Sequence, residues 1–320
     1  MARTRTSADD VGFRTGTGAF ALVLVIIVVG IGAVLWTESR LSIKAFGFNF
    51  WRTTTWDPVA GVFGALPFIW GTLYSSVLAL LIATPVALGI AIFIAELSPH
   101  WLRAPLVFLT EILAAIPSIV YGLWGIFVLV PLIRQAELTM PEWLGALPFF
   151  SGPPYGVSLG AAALILAIMI VPFTSSVARE VLKAVPGAQR EAAHALGATR
   201  WEATKVAVHY ARTGIVGAVL LGFGRALGET MAVTMVIGNN PQISLSLFAP
   251  QYTMSAVIAN EFKEAVEDLH LHALVEIGLV LFVITLVVNL LSRLLIWRIT
   301  RAKVTRLPAR APVPAGGSAA

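Results

Sequence analysis

The chain has 320 residues, of which 58% are hydrophobic and only 12% charged, with a net charge of +5 and no cysteine. About a quarter of the residues of a soluble chain are charged, so a water-exposed globular domain is excluded, and the lack of cysteine removes disulfides, thiolate metal sites and cysteine nucleophiles. In a membrane protein a basic excess collects in the loops on one side of the bilayer, which makes nucleic acid an unneeded partner.

Six apolar stretches long enough to cross a hydrocarbon core of roughly 30 Å fall at about 19–37, 68–95, 104–133, 157–178, 212–238 and 272–298. The first, from Ala19 to Trp36, is too long for a signal-peptide core. No small-residue cleavage site follows before Glu38 and Arg40, so it reads as a retained anchor. The third is longer than a membrane needs and contains Pro117 and Gly122, which predicts tilt or a break. Pro85 and Pro172 sit inside the second and fourth, where neighbouring helices can satisfy the freed carbonyls. With the N-terminus in the cytoplasm, only Arg40, Lys44, Arg52, Arg134 and Lys263 face outside and Arg225 lies within a span. That asymmetry puts both termini in the cytoplasm. The expected plan is a cytoplasmic tail at 1–18, a six-span domain at 19–298 and a disordered basic cytoplasmic tail at 299–320, held near anionic lipid headgroups.

Between the fourth and fifth spans, in a cytoplasmic loop at about 179–211, the chain reads Glu191-Ala192-Ala193-His194-Ala195-Leu196-Gly197-Ala198-Thr199-Arg200-Trp201-Glu202. Alanine, leucine and glutamate favour helix. Gly197 supplies a break, so the segment predicts a compact helix–glycine–helix knob or, more plainly, an amphipathic connector. The fifth span contains Gly222-Phe223-Gly224-Arg225-Ala226-Leu227-Gly228-Glu229-Thr230-Met231-Ala232. An arginine and a glutamate in a membrane cost several kcal/mol unless paired or hydrated. Four residues apart on one helix, Arg225 and Glu229 share a face and can pair, either to pin helix packing or to line a path in which Arg225 meets an anion.

The Glu-Ala-Ala, three residues, Gly pattern resembles the EAA loop of binding-protein-dependent ABC importer permeases, whose knob docks in a groove of a cytoplasmic ATPase. That resemblance assigns ATPase coupling to Glu191, Ala192, Ala193 and Gly197. The family usually continues to a Leu-Pro pair where this chain has Val208-His209-Tyr210. The stretch from Gly224 to Ala232 closely resembles phosphate-importer permeases of the PstC type. So do Trp56-Asp57-Pro58 with Phe63-Gly64-Ala65-Leu66-Pro67, Glu96-Leu97-Ser98-Pro99, and Ile116 to Gly122. Met231-Ala232-Val233 favours PstC over its sister PstA.

The resemblance implies an all-α, six-helix permease of MetI-like architecture in the inner membrane, with a cytoplasmic coupling helix. It implies phosphate as substrate, Arg225 and Glu229 as path residues, a PstA-type partner, two PstB-type ATPases and a PstS-type binding protein. ATP and Mg are then bound by the ATPase, with no cofactor in this chain. The alternatives are a PstA-like subunit or a permease for another oxyanion. A passive anion channel or secondary transporter is the rival of a different class, but neither needs a docking knob, and no internal repeat is visible. Neither a Walker-type loop nor a Ser-His pair or metal-ligand spacing occurs, so the chain reads as no enzyme.

Four further readings concern single features. Glu111 and Glu276 are intramembrane carboxylates that either pair with Arg225 or bond locally. Asn289 reads as helix–helix glue. His270 and His272 lack a third ligand at zinc spacing. Residues from Met254 to Asp268 read as an amphipathic helix on the outer face.

Overall fold

The computed structural model describes residues 8–145 and 147–304. The predicted tail beyond 304, with Arg306 and Arg310, lies outside them, as do Arg3 and Arg5. The helices are α1 Ala8–Glu38, α2 Arg40–Phe46, α3 Leu66–Ile92, α4 His100–Ala115, α5 Ser118–Trp124, α6 Val130–Leu138, α7 Glu142–Gly145, α8 Leu159–Lys183, α9 Gly187–Ala195, α10 Arg200–Leu227, α11 Met231–Val236, α12 Met254–Glu261 and α13 Asp268–Val304. A π turn, Phe93–Leu97, prolongs α3, and another, Gly125–Leu129, joins α5 to α6. Among the described residues six helical runs are long and apolar enough to cross a membrane: Gly12–Glu38, Leu66–Leu97, Ser118–Leu138, Leu159–Lys183, Arg200–Leu227 and Asp268–Arg298. The chain is an all-α multi-pass membrane protein.

Four of these runs follow the predicted spans closely. The third does not, because the window at 104–133 is two helices. Pro117 has no N–H to donate and disfavours helical geometry in the residue before it; Ile116 and Pro117 are accordingly extended, at ψ 129 and 142. The break is bridged by the Tyr121 hydroxyl, which donates at 2.8 Å to the carbonyl of Leu113, one of the last carbonyls that α4 leaves unpaired.

The fifth span also departs from the expected 212–238. Its helix, α10, starts at Arg200, where Thr199 and Glu202 form a reciprocal capping box. It then runs unbroken through Val208, His209 and Tyr210. Without the expected proline every N–H in that stretch is kept, so the chain passes from the loop into the span without a kink. α10 then stops at Leu227, well short of 238.

Close approach of backbones holds the centre together. On α3, Gly71, Ser75, Ala79, Ala83, Ala87 and Ala91 recur every four residues and all are buried, giving one stripe of small side chains along the helix. Its first residue, Gly71, meets the Tyr252 backbone, and its later alanines let α3 lie tightly along α8, the most buried of the spans. α10 packs on α8 in the same manner: a methyl at Gly222 would lie 2.5 Å from Thr174 Oγ1, and one at Gly214 would lie 2.4 Å from Val181 Cγ1. α5 and α11 close one side of the trio, sharing a core with Tyr121, Ile165, Ile170 and Val233. On the other side α13 carries α2, α12 and α1, around Phe50, Phe63, Phe68 and Leu274. α12 is shorter than the predicted amphipathic helix and ends at Glu261. Its first turn, Met254 to Val257, is buried in this core rather than displayed outside.

Candidate functional site

Two regions carry the chemistry. The first is the turn between α9 and α10. α9 ends in a left-handed glycine, Gly197 at φ +84. The N–H of Gly197 donates to His194 O at 2.9 Å, and that of Ala198 to Ala193 O at 3.1 Å. Both bonds satisfy carbonyls at the end of the helix, and only glycine takes this conformation freely. The predicted helix–glycine–helix knob is therefore present. Glu191, Ala192, Leu196 and Gly197 face outward and Ala193 is half-buried. Leu196, at the apex, is 90% exposed, an apolar side chain with nothing of its own chain to cover it.

The knob is fastened to the helices by a residue that composition and pattern do not single out. Arg190, in α9, donates to the Glu96 carboxylate from Nε at 2.9 Å and from Nη2 at 2.5 Å. Its remaining reach goes to the carbonyls of Val185, at 2.8 Å, and Leu182, at 3.0 Å. One guanidinium thus ties α9 to the end of α3 and to the end of α8. Glu96 is nearly buried on the side-chain scale, at 8%, against 25% for Arg190. The hydrogen-bonded carboxylate raises the Arg190 pKa above its ordinary value, so Arg190 keeps its charge. An acidic residue ending an apolar span, in Glu96-Leu97-Ser98-Pro99, was the available signal that a cation must lie nearby.

The second region is the end of α10. The expectation that Arg225 and Glu229 share a helical face and pair is corrected here. α10 ends at Leu227, Gly228 to Thr230 are not helical, and α11 starts at Met231. Successive glycines at 222, 224 and 228 weaken the helix there. Glu229 turns instead to the next helix, and its Oε1 accepts from the N–H of Ala232 at 3.4 Å, within the first turn of α11. Its carbonyl accepts from the Ser255 hydroxyl at 2.8 Å, joining the break to α12.

Arg225 is left exposed on the last turn of α10. Its guanidinium carbon stands 5.6 Å from the ring centroid of Phe173 on α8, a cation–π contact. It forms no ion pair among the described residues. A planar, permanently charged set of donors in a span, beside an aromatic face and without a carboxylate, is suited to an oxyanion.

The two carboxylates expected inside the membrane, Glu111 and Glu276, do not reach Arg225, and Glu111 lies on α4, outside the membrane-crossing runs. Glu111 pairs with Arg179 at 3.3 Å, and Arg179 is shared with Glu180 at 2.9 Å. Glu276 is buried on α13 beside Ser42 of α2. His270 is a structural residue, stacked on Phe63 with ring centroids 5.3 Å apart and hydrogen-bonded to Glu261 at 3.2 Å. Trp56 Nε1 donates to that same carboxylate oxygen at 2.9 Å.

Comparison with known proteins agrees with this layout. The model of the family described as binding-protein-dependent transport system inner membrane component matches residues 87–301, which include the break at Pro117, the Arg190 clamp, the knob and Arg225. The phosphate transport system permease protein PstC of Mesorhizobium japonicum is 46% identical over 301 residues, covering 92% of each chain. That of Pasteurella multocida is 51% identical over 266 residues, covering 81% of this chain and 83% of the relative. The probable phosphate transport system permease protein PstC of Methanocaldococcus jannaschii is 41% identical over 258 residues, covering 78% of this chain and 82% of the relative. With a matched region that spans both the outward-facing knob and the broken fifth span, the chain belongs to the family of binding-protein-dependent transport system inner membrane components.

Proposed function

We propose that the chain is the PstC-type permease subunit of an ATP-driven phosphate importer. The observation that carries this reading is Arg225, an exposed guanidinium with no ion pair among the described residues, at a break in a membrane span and on the same continuous helix as the knob. α10 begins at the knob and carries Arg225 in its last turn, so displacement at one end reaches the other through a single rigid element. The similarity to PstC proteins supports phosphate as the anion.

In this reading the sister permease, of PstA type, covers the exposed face of α10, and the path runs between the two subunits. Two ATPase subunits bind ATP and Mg on the cytoplasmic side, and one of them receives Leu196 and the exposed Glu191–Ala192 face of the knob. A binding protein delivers phosphate to the opposite side. The basic residues gathered at the knob end orient that end, and both termini, towards the cytoplasm. ATP binding closes the ATPase pair, the knob moves with it, and α10 rocks against α8 so that Arg225 faces first one side and then the other. Arg225 binds the phosphate oxygens. Glu229, an acceptor only when ionised, takes the hydrogen bond from the phosphate hydroxyl.

The test is uptake of labelled phosphate into proteoliposomes holding the two permeases and the ATPase, with the binding protein added outside. Uptake that requires ATP and the binding protein upholds the reading. Uptake that proceeds without the ATPase replaces it with a channel or secondary transporter, and uptake of another oxyanion in place of phosphate replaces the substrate.

A further inference from the structure

Near its start α10 carries Trp201, Lys205, His209 and Arg212, spaced four, four and three residues apart, so their side chains form one stripe. These residues, with Thr204 and Val208 of the same helix and Ile92 from the end of α3, line a cavity of about 350 Å³. Lys205 Nζ stands 5.5 Å from the ring centroid of Trp201. Arg212 Nε is buried and has no hydrogen-bond partner, a charged donor withdrawn from water with nothing in exchange, which is costly.

The carboxylates that could satisfy this stripe are committed elsewhere. Glu202 lies close enough to Lys205 for its charge to be felt. Its Oε2, however, accepts from both the N–H and the hydroxyl of Thr199, each at 2.8 Å. Glu96 belongs to Arg190, Glu180 to Arg179 and Lys183, and Glu111 to Arg179. No Asp or Glu lines the cavity. An ammonium, an imidazole and a guanidinium therefore line a space without a carboxylate, in which the Thr204 hydroxyl is already donating to Arg200 O at 2.9 Å. His209 stands between the two cations on this stripe.

We infer that this cavity is a binding site for a phosphate group, separate from the path at Arg225 and set beside the knob. A guanidinium fork and an ammonium on successive turns match the several oxygens of a tetrahedral phosphate. Two sources present that chemistry at this place, the headgroup of an anionic phospholipid and free inorganic phosphate. The site does not depend on the transport reading.

Two preparations of the full chain, with any subunits that accompany it, separate the sources. In nanodiscs of phosphatidylcholine and phosphatidylglycerol in phosphate-free buffer, native mass spectrometry shows phosphatidylglycerol enriched on the protein if the source is lipid. In phosphatidylcholine nanodiscs, equilibrium binding of labelled inorganic phosphate is saturable if the source is the free ion. The double variant Lys205→Gln/Arg212→Gln lowers whichever binding is present by roughly tenfold or more, the loss expected for charge-assisted hydrogen bonds. Lys205→Arg retains it, which separates lost charge from lost folding. Absence of both bindings in the unaltered protein overturns the inference. So does phosphate binding that survives in the double variant and disappears in Arg225→Ala.

Discussion

Arg190 and Glu96 meet in a two-pronged ion pair at 2.5–3.2 Å, although nearly a hundred positions separate them in the sequence. One partner sits in the short helix of the knob and the other in the π turn that ends α3. Because α3 packs closely on α8, and Arg190 also holds two carbonyls at the end of α8, the knob is bolted to the two most tightly packed helices as well as continued into α10. A push on the knob is then delivered to a rigid pair and to the helix bearing Arg225.

Glu96→Gln keeps the shape and removes the charge, at a cost of about 2 kcal/mol for a charge-assisted hydrogen bond left weakened. The expected outcome is a folded, assembled transporter in which ATP hydrolysis continues and phosphate uptake per ATP falls several-fold. Measured side by side in proteoliposomes, hydrolysis and uptake that fall in equal proportion would show the clamp to be structural only. The raised Arg190 pKa also fixes the sign of the pH response. A cation held above its ordinary value stabilises the fold below that ordinary value and loses effect only as pH climbs past the folded one. The arginine's contribution to the coupling should therefore be flat across the working range.

Leu196→Glu places a charge at the exposed apex of the knob, where the fold has no use for the leucine. Membrane insertion and thermal stability should be unchanged, while co-purification of the ATPase drops by about tenfold, as for a lost apolar anchor at an interface centre. ATPase recovery at the unaltered level would remove Leu196 from the interface.

Arg225→Ala should abolish phosphate uptake without unfolding the chain, since the guanidinium is exposed and holds no ion pair. Arg225→Lys keeps the charge but loses the planar fork and should retain a small fraction of the rate. Glu229→Gln is expected to change selectivity more than rate. A glutamine amide can donate to sulfate as readily as to phosphate, so competition by sulfate should rise. Identical competition in the variant and the unaltered protein would deny Glu229 its part in recognition.

The glycines divide sharply in what they tolerate. A methyl at Gly71 would stand 2.2 Å from the carbonyl oxygen of Tyr252, backbone that cannot step aside, whereas one at Gly217 would stand 3.9 Å from Ile296 Cδ1. Gly71→Ala should destabilise by about 1–3 kcal/mol, the cost of overpacking, and Gly217→Ala by none or slightly stabilise, since alanine is the better helix former. Melting of the purified variants in detergent compares them directly.

Four of the six spans, the glycine-turned knob and the proline break were legible because each is dictated locally, by hydropathy, by one left-handed residue and by a missing N–H. The pairing of Arg225 with Glu229 was misread for a related reason. A spacing of four implies contact only while the helix continues, and three glycines within seven residues end it. The Arg190–Glu96 clamp was out of reach because its two halves lie in different elements, and a charge pattern along one helix says nothing about a partner two spans away. The stripe from Gly71 to Ala91 was in plain view as a four-residue repeat of small side chains, but which helix it receives is decided only by the packed structure.

α1 packs chiefly against α13, with Phe282 closing over Gly32, and none of its apolar window is buried in the rest of the chain. During synthesis the two are separated by nearly everything else. α1 must enter the lipid and wait, solvated by acyl chains alone, until the ribosome has delivered the helix it leans on. Assembly of this subunit is thus completed at its two ends together, and a nascent chain halted anywhere before α13 displays an unclaimed helix to the machinery that inspects membrane proteins.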